Sequence, residues 1–446
     1  MVLSFETAAS GGVGSDDLNL TSEIFSMLES KFLSGGYQTP KRIGNGTGGK
    51  ICVLSIDGGG MRGIVAGKML AYLEDALQRK SGNCDARVAD YVDVAVGAGV
   101  GGAIASMLFA NDGAGRPLCR AHQISSLLAH HGTRLFRRSW SRFCGNRFST
   151  SSVEQIWPLV REMPVAMNFV KMAFNLCKLQ VFKALFGSKT LKDTLKPLLI
   201  PCYDLSSSAP FLFSRADALE TDTFDFNLWE ICRATSATPG FFRPVKMQSI
   251  DGQTSCTAVD GGLVMNNPTV AAVTHVLNNK QEFPFVRGVE DLLVLSIGTG
   301  QFDRKYEYQT VKGWGAFQWA KPVMKIVKDG VSDMVDHALS MAFGQKPQNY
   351  VRIQANGFPE ENLGDIDDPS PANVEMLMNF ADNMLKQKSM EYIPFGGKKK
   401  LPQTNAERLD WFAEQLVLEH QSRASRTIPT VLLKQQSPRL SLTESF

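Results

Sequence analysis

The sequence predicts an α/β fold in which a mostly parallel sheet is covered on both faces by helices. Three observations predict it. Short apolar runs of the buried-strand type alternate with longer stretches of helical periodicity. Glycine-rich turns stand where strands hand over to helices. The composition, 43% hydrophobic and 20% charged over 446 residues, is that of a globular chain long enough for one large domain or two smaller ones.

The elements follow in order. Residues 1–49 hold one short helical candidate, "LTSEIFSMLESKFL", and the Gly/Lys-rich linker "GNGTGGK". The α/β pattern then opens with the strand "ICVLSI" and the helix "GIVAGKMLAYLEDALQRK", whose basic residues gather at its end. A second strand, "YVDVAV", leads through a glycine cluster into the helix "AIASMLFA". Further strands are read in "LLIPCYDL", "FLFSR", "TAVD" and "LLVLSIG", with helices in "LWEICRATSA" and "TVAAVTHVLNN". From about residue 366 the chain reads as amphipathic helix through "WFAEQLVLEHQ", and its last residues form a Ser-, Arg- and Pro-rich tail.

Composition excludes several functions. A net charge of +3 is too small for general attraction to nucleic acid, and no RNA-binding module accompanies the local basic patches. The eight cysteines include no C-x-x-C pair and read as core fillers in a reducing compartment, so neither zinc nor a disulfide framework is expected. The N-terminus lacks a basic n-region followed by a sustained apolar run, and no stretch of about 18 uncharged apolar residues occurs. A cytoplasmic protein without cofactor or metal is the expectation.

Three glycine motifs carry the chemistry. In "SIDGGGMRG", a strand ends at Asp57 and three glycines precede a helix beginning near Arg62. Such a loop can aim successive amides at one point, either to cradle a phosphate or to form an oxyanion hole, although the spacing and lysine of a P-loop are missing. In "VGAGVGG", Gly97, Gly99 and Gly102 fit the dinucleotide pattern G-x-G-x-x-G and equally a nucleophile elbow, G-x-S-x-G, with glycine in the serine's place. In "AVDGGLVMNNP", Asp260 ends a strand with Gly261 behind it. It reads either as a general base facing a cleft or as an Asx-type turn.

In order and spacing these motifs resemble the patatin-like family of lipid acyl hydrolases, and among its plant members the subgroup whose elbow reads G-x-G-x-G. "GRPL" at 115–118, "ATSATPGFF" at 234–242 and "LLVLSIGTG" at 292–300 agree. The resemblance covers about residues 50–355 and implies a three-layer α/β/α sandwich with a Ser–Asp dyad. It implies that Gly59 and Gly60 supply the oxyanion hole, that Arg62 is the arginine of its G-G-x-R motif, and that Asp260 is the catalytic aspartate. Asp57, Gly58, Gly97, Gly101 and Gly261 support them, and Gly99 occupies the serine's position. A glycine cannot form an acyl-enzyme. The dinucleotide match is then coincidental, since no strand ending in an acid lies about 20 residues beyond it.

The implied function is hydrolysis of membrane glycerolipids, phospholipids or galactolipids, weak and water-mediated without the serine. The alternative is a catalytically silent protein that binds lipid or regulates. Ser106, seven residues past Gly99, is too distant to substitute, and Ser55 reads as core-facing. Peripheral membrane contact is expected at "RLFRRSWSRFCGNRF", through Arg134, Arg137, Arg138, Trp140 and Arg142, and along the apolar, lysine-spaced stretch 164–186. The expected divisions are an extension at 1–49, an acyl-hydrolase domain at 50–355 with a lid or docking region at 134–186, a helical part at 356–420 and a tail at 421–446.

Overall fold

A computed structural model describes residues 49–135, 180–239, 242–300, 306–354, 368–393, 397–425 and 430–432. Its centre is an eight-stranded sheet. The strands are β1 (Ile51–Ile56), β2 (Val94–Gly97), β3 (Leu198–Asp204), β4 (Ala209–Ser214), β5 (Val245–Gln248), β6 (Ser255–Asp260), β7 (Leu292–Ile297) and β8 (Tyr350–Ile353). β3, β2, β1, β7 and β8 lie side by side and parallel. β4 and β6 join β3 antiparallel, and β5 extends that edge.

Alternation along the central strand sorts the core into two layers. Cys52, Leu54 and Ile56 face one side, where they pack with α1 (Gly63–Ser81), α2 (Val100–Phe109), α3 (Ala121–Leu135), α4 (Leu228–Thr235), α7 (Pro371–Lys386) and α8 (Asn405–Ala424). Ile51 and Val53 face the other, with Val94, Val96, Leu292 and Val294, beneath α5 (Thr269–Asn278) and α6 (Ala316–Ala342). The sheet is therefore the middle of three layers, as the sequence predicts. No helix among the described residues is long and apolar enough to cross a membrane.

Three local readings change. The strand read over "YVDVAV" begins later, because Val88–Tyr91 forms a helical turn in which the Asp90 carboxylate caps the Arg87 amide at 2.8 Å. The helix read from about 366 is split by a hairpin of β9 (Lys388–Ile393) and β10 (Gly397–Thr404). It restarts at α8 through a Thr404/Glu407 capping box. β5 and β8, four residues each, are too short to show a period and went unread.

The basic and apolar stretches expected to meet a membrane fall largely outside the described residues, including Arg137, Arg138, Trp140 and Arg142. Arg134 stands at the end of α3. Residues 180–186 are helical and turn Val181, Phe182 and Phe186 into the core. Lys183 lies over the Trp229 ring at 4.8 Å.

The last helix is tied to the sheet by a charge. Arg423 donates to both oxygens of the buried Asp93 carboxylate at 2.7 Å and to the Lys50 carbonyl, while Asp93 also accepts from the Cys52 amide. Arg423→Ala strands that carboxylate and is expected to lower unfolding free energy by about 3 kcal/mol, read by urea denaturation. On α5, burial holds the His275 imidazole down from 6.5 to about 4. The unfolded chain therefore takes up this proton first. Stability from the neutral ring is complete above about pH 6.5 and is lost as pH falls toward about 4. His275→Gln is expected to flatten the fall in the urea midpoint between about pH 7 and pH 4.5.

Candidate active site

Strand register builds the site. In the parallel pairing of β2 with β3, Val96 stands opposite Leu199. β3 continues past the end of β2, so Cys202, three residues beyond Leu199, is level with Gly99, three beyond Val96. β6 returns antiparallel and sets its last residue, Asp260, opposite Cys202. The aspartate and the elbow glycine are thereby brought to the carboxyl ends of neighbouring strands, where open α/β sheets gather their chemistry. The β1 loop joins them there, since Ile56 pairs with Gly97.

Gly99 has φ 56° and ψ −124°, a conformation that side-chain-bearing residues seldom adopt, and it stands at the N-terminus of α2. An ideal Cβ built there would point into the cleft, 3.4 Å from Asp260 Oδ1 and 3.7 Å from the Gly58 Cα. The turn is closed by Gly101, whose missing Cβ admits the Asp57 carbonyl, which a Cβ would meet at 2.6 Å. Gly97 and Gly261 are in similarly close contact with backbone, of Gly101 and Pro201 respectively.

The oxyanion-type loop is held from outside. Its Gly58 amide donates to the Asn266 carbonyl at 3.0 Å, its Gly58 carbonyl accepts from Thr299 Oγ1, and Thr299 packs against Gly59. Arg62 donates to the Gly300 carbonyl, which pins the start of α1 to the loop after β7. Among the described residues no acceptor meets the amides of Gly59 and Gly60.

Asp260 is buried and oriented through both oxygens. Oδ1 accepts from the Gly262 amide at 2.8 Å, and Oδ2 accepts from Thr238 Oγ1 at 2.7 Å. The Lys328 ammonium lies 3.6 Å from Oδ2. Thr235 Oγ1 donates to the Pro201 carbonyl at 2.7 Å and accepts from the Gly99 amide at 3.0 Å. Two threonines, one in α4 and one just past its end, thus fix the elbow and the carboxylate.

Asp57 points the other way. Arg352 of β8 grips it with two parallel bonds of 3.0 and 2.7 Å and reaches Asp336 of α6 at 3.2 Å. Asp336 also accepts from Tyr350 and from Asn267. One guanidinium serves two buried carboxylates, and the Arg62 charge acts on Asp57 as well. Burial pushes the Asp57 carboxyl up to about 6 against the pull of Arg352. Thr269 Oγ1 completes the network through Ser55 and Ser296, both at 2.8 Å. Ser55 therefore faces the core, as read. Ser106 is buried too, its hydroxyl donating to the Gly102 carbonyl.

A family model described as patatin-like phospholipase matches residues 54–273, the span that contains all three glycine motifs. Patatin-like protein 6 of Arabidopsis thaliana is 50% identical over 96% of this chain and 91% of its own length. The chain belongs to the patatin-like family. Patatin-like protein 7 of the same plant is 52% identical over 94% of this chain and 85% of its own. A further relative, named probable inactive patatin-like protein 9, is 41% identical over 90% and 93%.

Reading the sequence missed several members of this patatin-like site. Thr235 and Thr238 lie in "ATSATPG", a stretch noticed without a role. Lys328, Ser332 and Asp336 recur every fourth residue on α6 and contact Asp260, Asn266 and Asn267 in turn. That spacing was legible, but nothing in it named the partners. Apart from the cleft, a groove of about 850 Å³ lined by Leu212, Met265, Thr274, His275 and Lys280 holds none of the expected site residues.

Arg352→Met leaves two buried carboxylates without a counter-charge and is expected to cost about 3–5 kcal/mol. Lys328→Met, at a partly exposed position, should cost under about 1 kcal/mol. Thermal unfolding of the two variants checks the difference.

Proposed function

We propose that the protein is a lipid acyl hydrolase of the phospholipase A or galactolipase type in which water takes the place of the elbow serine, so that turnover is slow. The reading is carried by the position an ideal Cβ would take at Gly99, 3.4 Å from Asp260 Oδ1. A hydroxyl or a water there would meet a carboxylate on one side and the oxyanion-type loop on the other. In the proposed step Asp260 takes a proton from that water as its oxygen bonds to the ester carbonyl carbon. The amides of Gly59 and Gly60 stabilise the negative oxygen that forms, and the C–O bond to the alcohol then breaks as Asp260 returns the proton to the departing oxygen. No acyl-enzyme forms. A cytoplasmic protein acting on membrane glycerolipids from the surface fits this chemistry.

A second reading, a silent member that binds lipid or regulates, is favoured by Gly99 itself and by the 41% identity to a relative named probable inactive. Losing the nucleophile of a serine hydrolase costs roughly 10⁶ in turnover, while oxyanion stabilisation and binding keep about 10³–10⁴ over water. The two readings diverge in an assay of glycerolipid hydrolysis. Slow turnover in the native chain that Asp260→Asn abolishes supports the water mechanism, and turnover equal in both variants excludes it. Gly99→Ser is expected to raise the rate by about 10² or more, whichever reading holds for the native chain. The added side chain should lower stability by about 1–3 kcal/mol through strain at φ 56°.

A further inference from the structure

We infer that Lys328 is a specificity-determining residue of the candidate site: its ammonium receives the phosphate of a lipid headgroup and so selects glycerophospholipid over galactolipid. The inference rests on the acyl-hydrolase reading above and narrows its substrate. Lys328 stands on the face of α6 that looks into the site, its ammonium 3.6 Å from Asp260 Oδ2 and its side chain 30% exposed. At that distance it is an ion pair without a hydrogen bond, and Oδ2 already accepts from Thr238 Oγ1 at 2.7 Å. None of the N–H donors of this ammonium finds a hydrogen-bond acceptor among the described residues. The other polar groups of the same face are committed. Ser332 and Asp336 hold Asn266 and Asn267, and Asp336 also accepts from Arg352. Asp329 and Asp333 stand about 100° and about 140° round the helix from Lys328, off its face.

Charge and distance decide between the two headgroups. A phospholipid carries an anionic phosphodiester where a galactolipid carries a neutral sugar. Sugar hydroxyls donate as well as accept, and an ammonium offers donors only, so the phosphate is the better match. The ideal Cβ position at Gly99 lies 3.4 Å from Asp260 Oδ1, which puts it within about 9 Å of the ammonium across the carboxylate. In a glycerophospholipid the bonds from the sn-2 carbonyl carbon to phosphorus span about 6 Å when extended, and a phosphate oxygen bonded to an ammonium adds about 3 Å. An ester held at the elbow thus brings its phosphate within reach of Lys328. Without the lysine, the same phosphate would meet the Asp260 carboxylate as a like charge.

Ether-linked lipids, which cannot be hydrolysed, test this on the full chain without turnover. The probes are the short-chain dihexyl ether analogues of phosphatidylglycerol and of monogalactosyl glycerolipid, both monomeric in solution, with binding followed by isothermal titration calorimetry. Native protein should bind the phosphate-bearing ether about tenfold or more tightly than the galactosyl ether. Lys328→Met should remove that difference and leave galactosyl binding unchanged, whereas Lys328→Arg should retain it. Added salt should weaken phospholipid binding more in the native chain than in Lys328→Met. The inference is overturned if native protein binds the two ethers equally or not at all, if Lys328→Met weakens both alike, or if it weakens neither. Glycerol 3-phosphate binding as tightly as the lipid also overturns it, since a free phosphate would then be the occupant. The outcome is separable from hydrolysis. Phospholipid binding that depends on Lys328, in a chain that hydrolyses neither lipid class, upholds the assignment and removes only the hydrolytic reading. Slow hydrolysis whose headgroup preference survives Lys328→Met does the reverse.

Discussion

Beneath the cleft, a single guanidinium is shared between two carboxylates that have no access to water. Arg352 comes from the edge strand β8, Asp57 from the end of the central strand and Asp336 from α6, so one charge connects three elements that no local sequence signal relates. In a medium of low polarity such a group is stable only with its hydrogen bonds complete, and Tyr350, Asn267, Ser296 and Thr269 complete them. The glycine loop that follows Asp57 is therefore anchored at its root and carries no side chain of its own to reach the cleft. Rigidity below and bare backbone above are what an amide-lined anion site requires.

A second constraint is geometric. Asp260 reaches Gly99 because β3 outruns β2 and β6 folds back along the excess. The antiparallel edge of an otherwise parallel sheet thus serves a positional purpose: it delivers a residue from the far end of the sheet to the mouth of the elbow. Thr235 and Thr238 then set the last fractions of an ångström, one hydrogen-bonding the glycine amide and the other the carboxylate.

Much of this was legible beforehand where physics is local. Buried strands such as "ICVLSI" and "LLVLSI" show as apolar runs, and the long amphipathic helices show by period. The three glycine motifs declare themselves because close backbone approach admits no other residue at positions such as Gly101. What escaped was relational. β8 has four residues and no period, so neither the strand nor its arginine could be read. The triple of Lys328, Ser332 and Asp336 is ordinary helical spacing until the opposing loop is known. The hairpin after α7 did leave a signal, since Pro394, Gly396, Gly397 and Pro402 break helical periodicity between 388 and 404, but the amphipathic stretches on either side were read straight through it.

The left-handed backbone at Gly99 has a consequence for how such a protein ages through mutation. A residue with a side chain would be strained there by about 1–3 kcal/mol, whereas glycine gives back only about 0.5–1 kcal/mol through its freer unfolded chain. Exchange toward glycine is therefore downhill in folding and uphill in chemistry. An exchange of that kind releases a reserve that lets other mildly damaging changes settle elsewhere in the molecule, and each of them makes a side chain at this position harder to tolerate.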